Sequence, residues 1–359
     1  MLDKIEGGDN FISFLQTPYL EDVDFELTLE LSFRYSPIIR LNDCLKNTTK
    51  NLPMRRRKFL ATTAQATAYT LLFSQLYACK TKSKFIAPIG QDYNMKMLRG
   101  GVGYFTERGG TIGWMASKDG VVVVDTQFPD QANHLLIEID KLDLGNVDLL
   151  INTHHHGDHT AGNPVFKERT DMILAHRNSR KNQEISAKKR GTEDKQVYPT
   201  ETFSTSISKK IGSETVTLDC HGAAHTDGDA LVHFENANVV HLGDLVFNRR
   251  FPYIDMSAGA NIENWIKVLD KARTNYDDET IYMWGHAEDG YDITGGKEEI
   301  KAFQNYLEKL LEFGEKSLRA SVPLDKLKKM TTVIPGAEEW KGKGIERSLD
   351  AVYAELARE

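Results

Sequence analysis

The sequence predicts a mixed α/β fold in which helices cover β-sheets. Two observations indicate this: short apolar runs typical of strands alternate with longer segments of helical periodicity, and no segment recurs at a fixed period. With 359 residues, 40% of them hydrophobic, the chain is long enough for one large domain or two small ones with a packed core.

The first predicted strands begin near residue 95, where glycines split short apolar stretches as in a β-meander. Residues 120–128 (GVVVVDTQF) predict a buried strand with a carboxylate, Asp125, at its end. A helix is predicted over residues 129–142, with a proline at its start. A second buried strand, residues 146–153 (NVDLLINT), leads directly into a cluster of histidines.

The second half of the chain continues the alternation. Residues 176–195 are polar and charged, which predicts an exposed helix and loop. An amphipathic helix is predicted over residues 261–272 with Asn261 as its N-cap, and the tail from residue 297 to 359 reads as mainly helical. Four further short strands are predicted, over residues 214–220, 230–236, 238–244 and 280–286.

Four of the predicted strands are followed by residue types that bind metal ions. His154, His156, Asp158 and His159 follow the predicted strand over residues 146–153. His225, Asp244 and His286 follow or end the predicted strands over residues 214–220, 238–244 and 280–286. A His-x-His pair at the end of a strand places two imidazoles on one side, as zinc prefers. Each residue alone has an ordinary alternative, such as a turn or a solvated loop, but the ordered set favours a metal site.

The set divides into a three-histidine site and a second site that contains a carboxylate. The first comprises His154, His156 and His225, and the second comprises Asp158, His159 and His286. Asp244 has two carboxylate oxygens and can bridge both metals. With a shared water, each metal is four- or five-coordinate and keeps an open position, which is typical of catalytic rather than structural sites.

This ordered set resembles the metallo-β-lactamase superfamily, whose mark is H-x-H-x-D-H followed by isolated His, Asp and His at strand ends. The likeness covers about residues 95–290. It implies a four-layer αβ/βα sandwich with the site at one edge, here followed by a helical C-terminal extension. It also implies that Asp125 supports the metal-binding loop from below. Asp229 is a candidate to hydrogen-bond a ligand histidine, with a role in a turn as the alternative.

The resemblance implies two zinc ions, with iron or manganese as alternatives, that hold a hydroxide between them. Such an enzyme would hydrolyse an ester, thioester, lactone or amide bond, including that of a β-lactam. Asp158 would be catalytic, orienting the water or moving its proton. Arg249 and Arg250 follow the Asp244 strand and are candidates to bind a substrate carboxylate, with surface charge as the alternative.

The residues are compatible with more than one subclass and more than one class of function. Asp244 and His159 stand where one β-lactamase subclass has Cys and Arg, and both departures favour the general hydrolase pattern of glyoxalase II and lactonases. A persulfide dioxygenase of the same fold uses one iron with two histidines and an aspartate, but the complete second site favours two metals. A non-catalytic metal-binding protein is the third alternative, and the full ligand set argues against it.

Residues 54–79 resemble a twin-arginine signal peptide, with a basic start, a mildly apolar stretch and a terminal Cys79 that is a candidate for lipidation. The alternative is a basic amphipathic helix, but the order of the three parts favours export. This predicts export to the periplasm, or anchoring in the cell envelope of a bacterium. Because such signals stand at an N-terminus, we expect residues 1–53 to be a spurious or disordered extension. The expected remaining segments are a linker over residues 80–94, a catalytic domain over 95–296 and a helical extension over 297–359.

Composition restricts the partners. The net charge of −7 gives no global basic field for nucleic acid. The family resemblance implies a small-molecule substrate as the partner. Three scattered cysteines are too few for a disulfide framework. Membrane contact is expected only through a lipid at Cys79, and the oligomeric state is left open.

Overall fold

The computed structural model describes residues 93–357. The predicted signal peptide, the segment before it, Cys79 and most of the predicted linker lie outside this range. Within it, no helix is both long and apolar enough to span a bilayer.

Two sheets form the centre of the fold. The first has seven strands that neighbour one another in chain order: β1 (Asn94–Arg99), β2 (Val102–Thr106), β3 (Ile112–Ser117), β4 (Gly120–Val124), β5 (Leu149–Asn152), β6 (Ile173–His176) and β7 (Glu201–Phe203). Strands β1 to β4 form the predicted antiparallel meander, and β4 to β7 run parallel.

The second sheet has six strands in the order β15-β13-β11-β10-β9-β8. Their bounds are β8 (Ser206–Ile211), β9 (Glu214–Asp219), β10 (Leu231–Phe234), β11 (Val239–His241), β13 (Ile281–Met283) and β15 (Thr294–Gly295). Two short strands, β12 (Phe247–Asn248) and β14 (His286–Ala287), pair in parallel beside the site described below.

Helices cover the outer faces of both sheets. The described helices are α1 (Pro129–Asp140), α2 (Gly157–Thr160), α3 (Arg177–Arg190), α4 (Ile262–Thr274), α5 (Lys297–Arg319), α6 (Leu324–Met330) and α7 (Ile345–Leu356). One apolar cluster joins the inner faces of the two sheets, a second joins the first sheet to α1, and a third joins the second sheet to α4, α5 and α7. This arrangement confirms the predicted four-layer αβ/βα sandwich.

Strand β4 shows how a run of valines builds two of these clusters. Side chains alternate between the faces of a strand, so Val122 and Val124 point between the sheets while Val121 and Val123 point towards α1. All four are fully buried. The strand ends at Asp125, whose backbone lies in the left-handed region with φ of 65°. Such a conformation is costly for a non-glycine residue and is found mainly where a site requires it.

Helix α4 begins as predicted, because the Asn261 side chain accepts a hydrogen bond of 2.6 Å from the backbone N–H of Asn264. A second cap comes from the far end of the chain. The buried carboxylate of Glu355, on α7, accepts from the backbone N–H groups of Ile262 and Glu263 at 2.7 and 3.0 Å. Helix α7 therefore caps the N-terminus of α4, and both helices belong to the same apolar cluster.

The third cluster extends deep into the C-terminal region. Trp340 is fully buried, stacks on Tyr306 with ring centroids 5.1 Å apart, and donates from its indole N–H to the carbonyl of Phe247. Residues 297–357 therefore share one core with the second sheet.

Replacing Trp340 with alanine is expected to reduce the free energy of unfolding by about 3–5 kcal/mol, because it leaves a large cavity in that core. Urea denaturation of the full chain measures this loss. Val333→Ala is the matched control, since Val333 is 41% exposed in the same region and should cost less than about 0.5 kcal/mol. An equally small effect of Trp340→Ala would contradict the shared core.

Candidate metal centre

The predicted ligand residues all follow strand ends at one edge of the sandwich. The loop after β5 carries four of them and folds into the short helix α2. His225 and Asp244 lie after β9 and β11, and His286 is the first residue of β14, which follows β13. In open α/β sheets, the carboxyl ends of parallel strands are where ligand sites form. The structure brings all seven residues together there, in groups of donor atoms within 4.8 Å of one another.

The first group consists of three imidazoles. The Nδ1 atom of His156 lies 3.0 Å from Nε2 of His154 and 3.0 Å from Nε2 of His225. His154 and His225 are almost completely buried, and His156 is partly exposed. Three ring nitrogens therefore converge on one point.

Two neighbours determine which nitrogens of this group carry lone pairs. The Thr153 hydroxyl donates to Asp125, so its oxygen accepts from Nδ1 of His154 at 3.0 Å. Asp255 accepts from Nε2 of His156 at 3.0 Å. The lone pairs of Nε2 of His154 and Nδ1 of His156 then face each other, which is repulsive unless a cation lies between them.

The second group consists of Asp158, His159 and His286. Nε2 of His286 lies 3.2 Å from Oδ2 of Asp158, and Nε2 of His159 lies 3.9 Å from the same oxygen. Nδ1 of His159 donates to Asp125 at 2.8 Å, which leaves Nε2 as the ring nitrogen that faces Asp158. Asp125 thus fixes one histidine in each group, His159 directly and His154 through the Thr153 hydroxyl.

Asp244 lies between the two groups. Its Oδ2 is 3.7 Å from Nε2 of His154, 3.5 Å from Nε2 of His225 and 3.5 Å from Nε2 of His286. Its Oδ1 is 3.1 Å from Nε2 of His159, yet neither of these two buried atoms makes a hydrogen bond. One carboxylate therefore faces both groups at once.

These separations fit metal ligation. Ligands about 2.0–2.1 Å from a tetrahedral metal lie about 3.3 Å from one another, and the donor pairs above are separated by 3.0–3.9 Å. Two of the unpartnered buried atoms among the described residues, Nε2 of His159 and Oδ1 of Asp244, are also atoms that a metal would satisfy. Imidazole and carboxylate suit zinc, iron and manganese.

The electrostatics of the two groups differ. Burial lowers the pKa of His225 to about 3 and also lowers that of His154, so both stay neutral, as ligands must. Burial alone would lower the pKa of His286 too, but the carboxylates of Asp244 and Asp158 outweigh it and raise that pKa to about 9. The second group therefore attracts positive charge, which either a proton or a metal ion can supply.

A solvent-accessible cavity of about 650 Å³ lies above the two groups. Its wall includes the aromatic rings of Phe247, Phe251 and Tyr253. The Phe247 ring stacks on His286, with centroids 5.4 Å apart, and Tyr253 packs against His156. The cavity thus combines a polar floor with a partly apolar wall, as small-molecule sites do.

Two sequence predictions have different outcomes in this geometry. Both carboxylate oxygens of Asp229 accept hydrogen bonds from Thr226, one from the backbone N–H and one from the hydroxyl, at 2.7 Å each. Asp229 therefore stabilises a turn and does not contact a ligand histidine. The structure places Arg250 in the cavity wall but Arg249 outside it, with its guanidinium 4.7 Å from the centre of the Trp340 ring.

Sequence reasoning missed Asp255 and Arg347. Asp255 contacts His155 at 3.5 Å as well as His156, and Arg347 reaches the cavity from α7. Asp255 follows Asp244 by eleven residues in a stretch that carries no strand-end signal. Arg347 is far along the chain from every motif residue, so only tertiary contact reveals it.

Comparison with known proteins agrees with this geometry. Residues 105–286, which contain all seven donor residues, match the family model of the metallo-beta-lactamase superfamily, and the chain belongs to this family. The metallo-beta-lactamase IND-1 of Chryseobacterium indologenes is 27% identical over 176 residues, which are 49% of this chain and 70% of that protein.

One solved structure with a TM-score above 0.5 shows the same fold. A double mutant of the sec-alkyl sulfatase PisA1 is 11% identical and covers 74% of this chain and 50% of its own, with a TM-score of 0.58. A metallo-beta-lactamase from Pontibacter korlensis is 17% identical and covers 60% of this chain and 99% of its own, with a TM-score of 0.49.

Proposed function

We propose that the protein is a metal-dependent hydrolase that cleaves an ester, thioester, lactone or amide bond of a small molecule. The observation that carries the proposal is the pair of donor groups joined by Asp244 at the floor of an open cavity. The membership of the superfamily and the likeness to a protein named as a metallo-beta-lactamase support hydrolysis, and they make a β-lactam one substrate to test.

The ligand assignment follows the two groups. His154, His156 and His225 would hold one zinc ion, and Asp158, His159 and His286 would hold the other, with Asp244 shared between them. When bound, two such ions supply an activated water and an electrophile for the substrate carbonyl. Zinc is the proposed metal, with iron and manganese as alternatives.

Asp158 is the proposed proton acceptor. Asp158 lines the cavity and retains 31% side-chain exposure, so water can reach its carboxylate. A carboxylate in that position can orient a water and accept its proton. The wall of Phe247, Phe251 and Tyr253 would position the substrate above it.

The experiment that tests this proposal measures metal content and hydrolysis together. Plasma mass spectrometry of the purified full chain, grown without added zinc, is expected to find two zinc ions per chain. The same preparation is expected to hydrolyse at least one member of a panel of lactones, thioesters, 4-nitrophenyl esters and the β-lactam nitrocefin. If the protein instead contains one iron per chain and consumes oxygen in the presence of persulfides, it is a persulfide dioxygenase and the hydrolase proposal is wrong. A folded protein without metal would overturn both.

Asp158→Asn is expected to keep most of the bound metal and to lose about 10²–10⁴-fold in kcat, because the amide cannot accept the proton. Metal content and turnover are measured on the same sample. Asp289→Asn is the matched control, since Asp289 is exposed three residues after His286 and outside both donor groups. Equal losses of metal and turnover would instead assign Asp158 to ligation alone.

A further inference from the structure

Four cationic side chains line the cavity above the metal ligands. They are Lys189, Arg190, Arg250 and Arg347. They come from three distant parts of the chain, namely the last turn of α3, the segment after β12 and the first turn of α7. All four are exposed, and the ion pairs that Lys and Arg make within residues 93–357 all involve other residues.

The helix dipole accounts for the positive charges of Lys189 and Arg190, but it does not account for that of Arg347. Lys189 and Arg190 lie at the C-terminal end of α3, where the helix dipole favours cations. Arg347 lies in the first turn of α7, where the dipole disfavours a cation. The start of α7 also has no side-chain cap. Arg347 therefore adds positive charge to the positive end of a helix, on a chain whose net charge is −7.

Arg347 is held close to a proposed metal ligand, and the backbone of Arg250 is anchored at the cavity wall. The Arg347 guanidinium lies 5.3 Å from the centre of the Tyr253 ring, which in turn packs 5.2 Å from the ring of His156. One aromatic ring thus separates Arg347 from a proposed ligand. Arg250 is fixed through its backbone, which pairs with Lys341, and by the neighbouring Phe251, which is buried.

The acidic residues of the cavity leave these cations free. Asp158, Asp244 and Asp255 all lie on the floor and are engaged by histidines. The floor therefore presents donors for metal, and the rim presents unpaired positive charge. A single carboxylate would occupy one guanidinium in a bidentate contact, which leaves the other cations without a partner.

We propose that the substrate carries two or more negatively charged groups, such as carboxylates, away from the bond that is cleaved. Arg347 and Arg250 bind these groups, and Lys189 and Arg190 add to the attracting field. This inference rests on the proposed hydrolase function and defines the class of its substrate.

The test uses three 4-nitrophenyl esters whose acyl chains have matched length and carry zero, one or two carboxylates. At low ionic strength, kcat/KM of the metal-loaded protein is expected to rise about tenfold or more with each added charge. The gain should shrink as salt is added, because the rim cations are exposed. Equal rates for the three esters would overturn the inference and leave the hydrolase intact.

Substitutions test which side chains cause the preference for dianionic over neutral esters. Arg347→Gln is expected to reduce the ratio of dianionic to neutral kcat/KM by about tenfold or more, and Lys189→Gln by a smaller factor. Lys188→Gln is the matched control for Lys189→Gln, because Lys188 is exposed in the same helical turn but does not line the cavity. A ratio that falls equally in Lys188→Gln would show a general charge effect and overturn the assignment to the cavity.

A binding measurement separates failure of this inference from failure of the hydrolase. Isothermal titration compares benzene-1,3-disulfonate with benzenesulfonate, which are weak metal ligands, on the metal-loaded full chain. The disulfonate is expected to bind at least tenfold more tightly, and Arg347→Gln should remove that difference. This result without hydrolysis of any member of the substrate panel would support the anion site and overturn the hydrolase. No difference between the two sulfonates would overturn the anion site.

Discussion

Asp244→Ala is expected to reduce the bound metal from two ions per chain to less than one and to lower hydrolysis by more than about 10²-fold. The reason is that Asp244 faces both donor groups, with Oδ2 3.5 Å from His225 and 3.5 Å from His286. Removing it leaves imidazoles whose lone pairs face one another without a negative charge. Losing even an outer partner of a ligand costs about 10–100-fold, so the loss of a shared ligand should cost more.

The measurement is metal content by plasma mass spectrometry, with turnover on any substrate of the panel. Asp289→Ala is the matched control, because it removes a nearby exposed carboxylate that belongs to neither group. Circular dichroism establishes that both variants are folded. Two metal ions retained in Asp244→Ala would show that the two groups bind independently, which contradicts a shared carboxylate.

Gly110→Ala is expected to remove about one metal ion per chain and leave the other. A methyl group at position 110 would overlap the ring of His159, which is fully buried and held through Nδ1 by Asp125. Gly110 cannot retreat, because its N–H donates to the carbonyl of Asp158 and its own carbonyl accepts from Gln127. The second donor group should therefore be distorted while the three-histidine group remains.

The expected readout is a fall from two metal ions to about one, a loss of hydrolysis of at least about 10²-fold, and a destabilisation of about 1–3 kcal/mol from overpacking. Gly157→Ala is the matched control, since a methyl group there meets no atom within 4 Å, and its metal content should equal that of the unchanged protein. His159→Asn removes the imidazole of His159 from the second donor group without adding bulk. It tests the same loss of metal if Gly110→Ala does not fold. Two metal ions in both variants would contradict the role of His159.

The strands of the two sheets were predictable to different degrees. The valine run of β4 and the helix capped by Asn261 were predicted because burial and capping leave strong local signals. Strands β6, β7 and β8 were not predicted. β7 is only three residues long, and β8 (SISKKI) alternates between exposed and half-buried positions, so neither has a strong apolar pattern. These strands are stabilised by pairing with neighbours that lie elsewhere in the chain.

The C-terminal region shows the limit of local patterns most clearly. Its amphipathic helices were predictable, and the sequence suggested an extension after a separate catalytic domain. In the structure, Trp340 and Glu355 contribute to the same core and to the start of α4. An amphipathic stripe indicates that a helix is buried on one face, but it does not indicate which partner covers that face.

Local sequence patterns are enough to predict the fold class and the types and order of the candidate metal ligands. These are local properties, because periodicity and strand ends are encoded within a few neighbouring residues. The sequence also predicted a shared Asp244, and the structure gives its distances to both groups. The contact between Asp255 and His156, and the place of Arg347 instead of Arg249 in the cavity wall, are visible only in the tertiary structure. Such contacts join residues from distant parts of the chain, and their distances depend on how the sheets and helices pack.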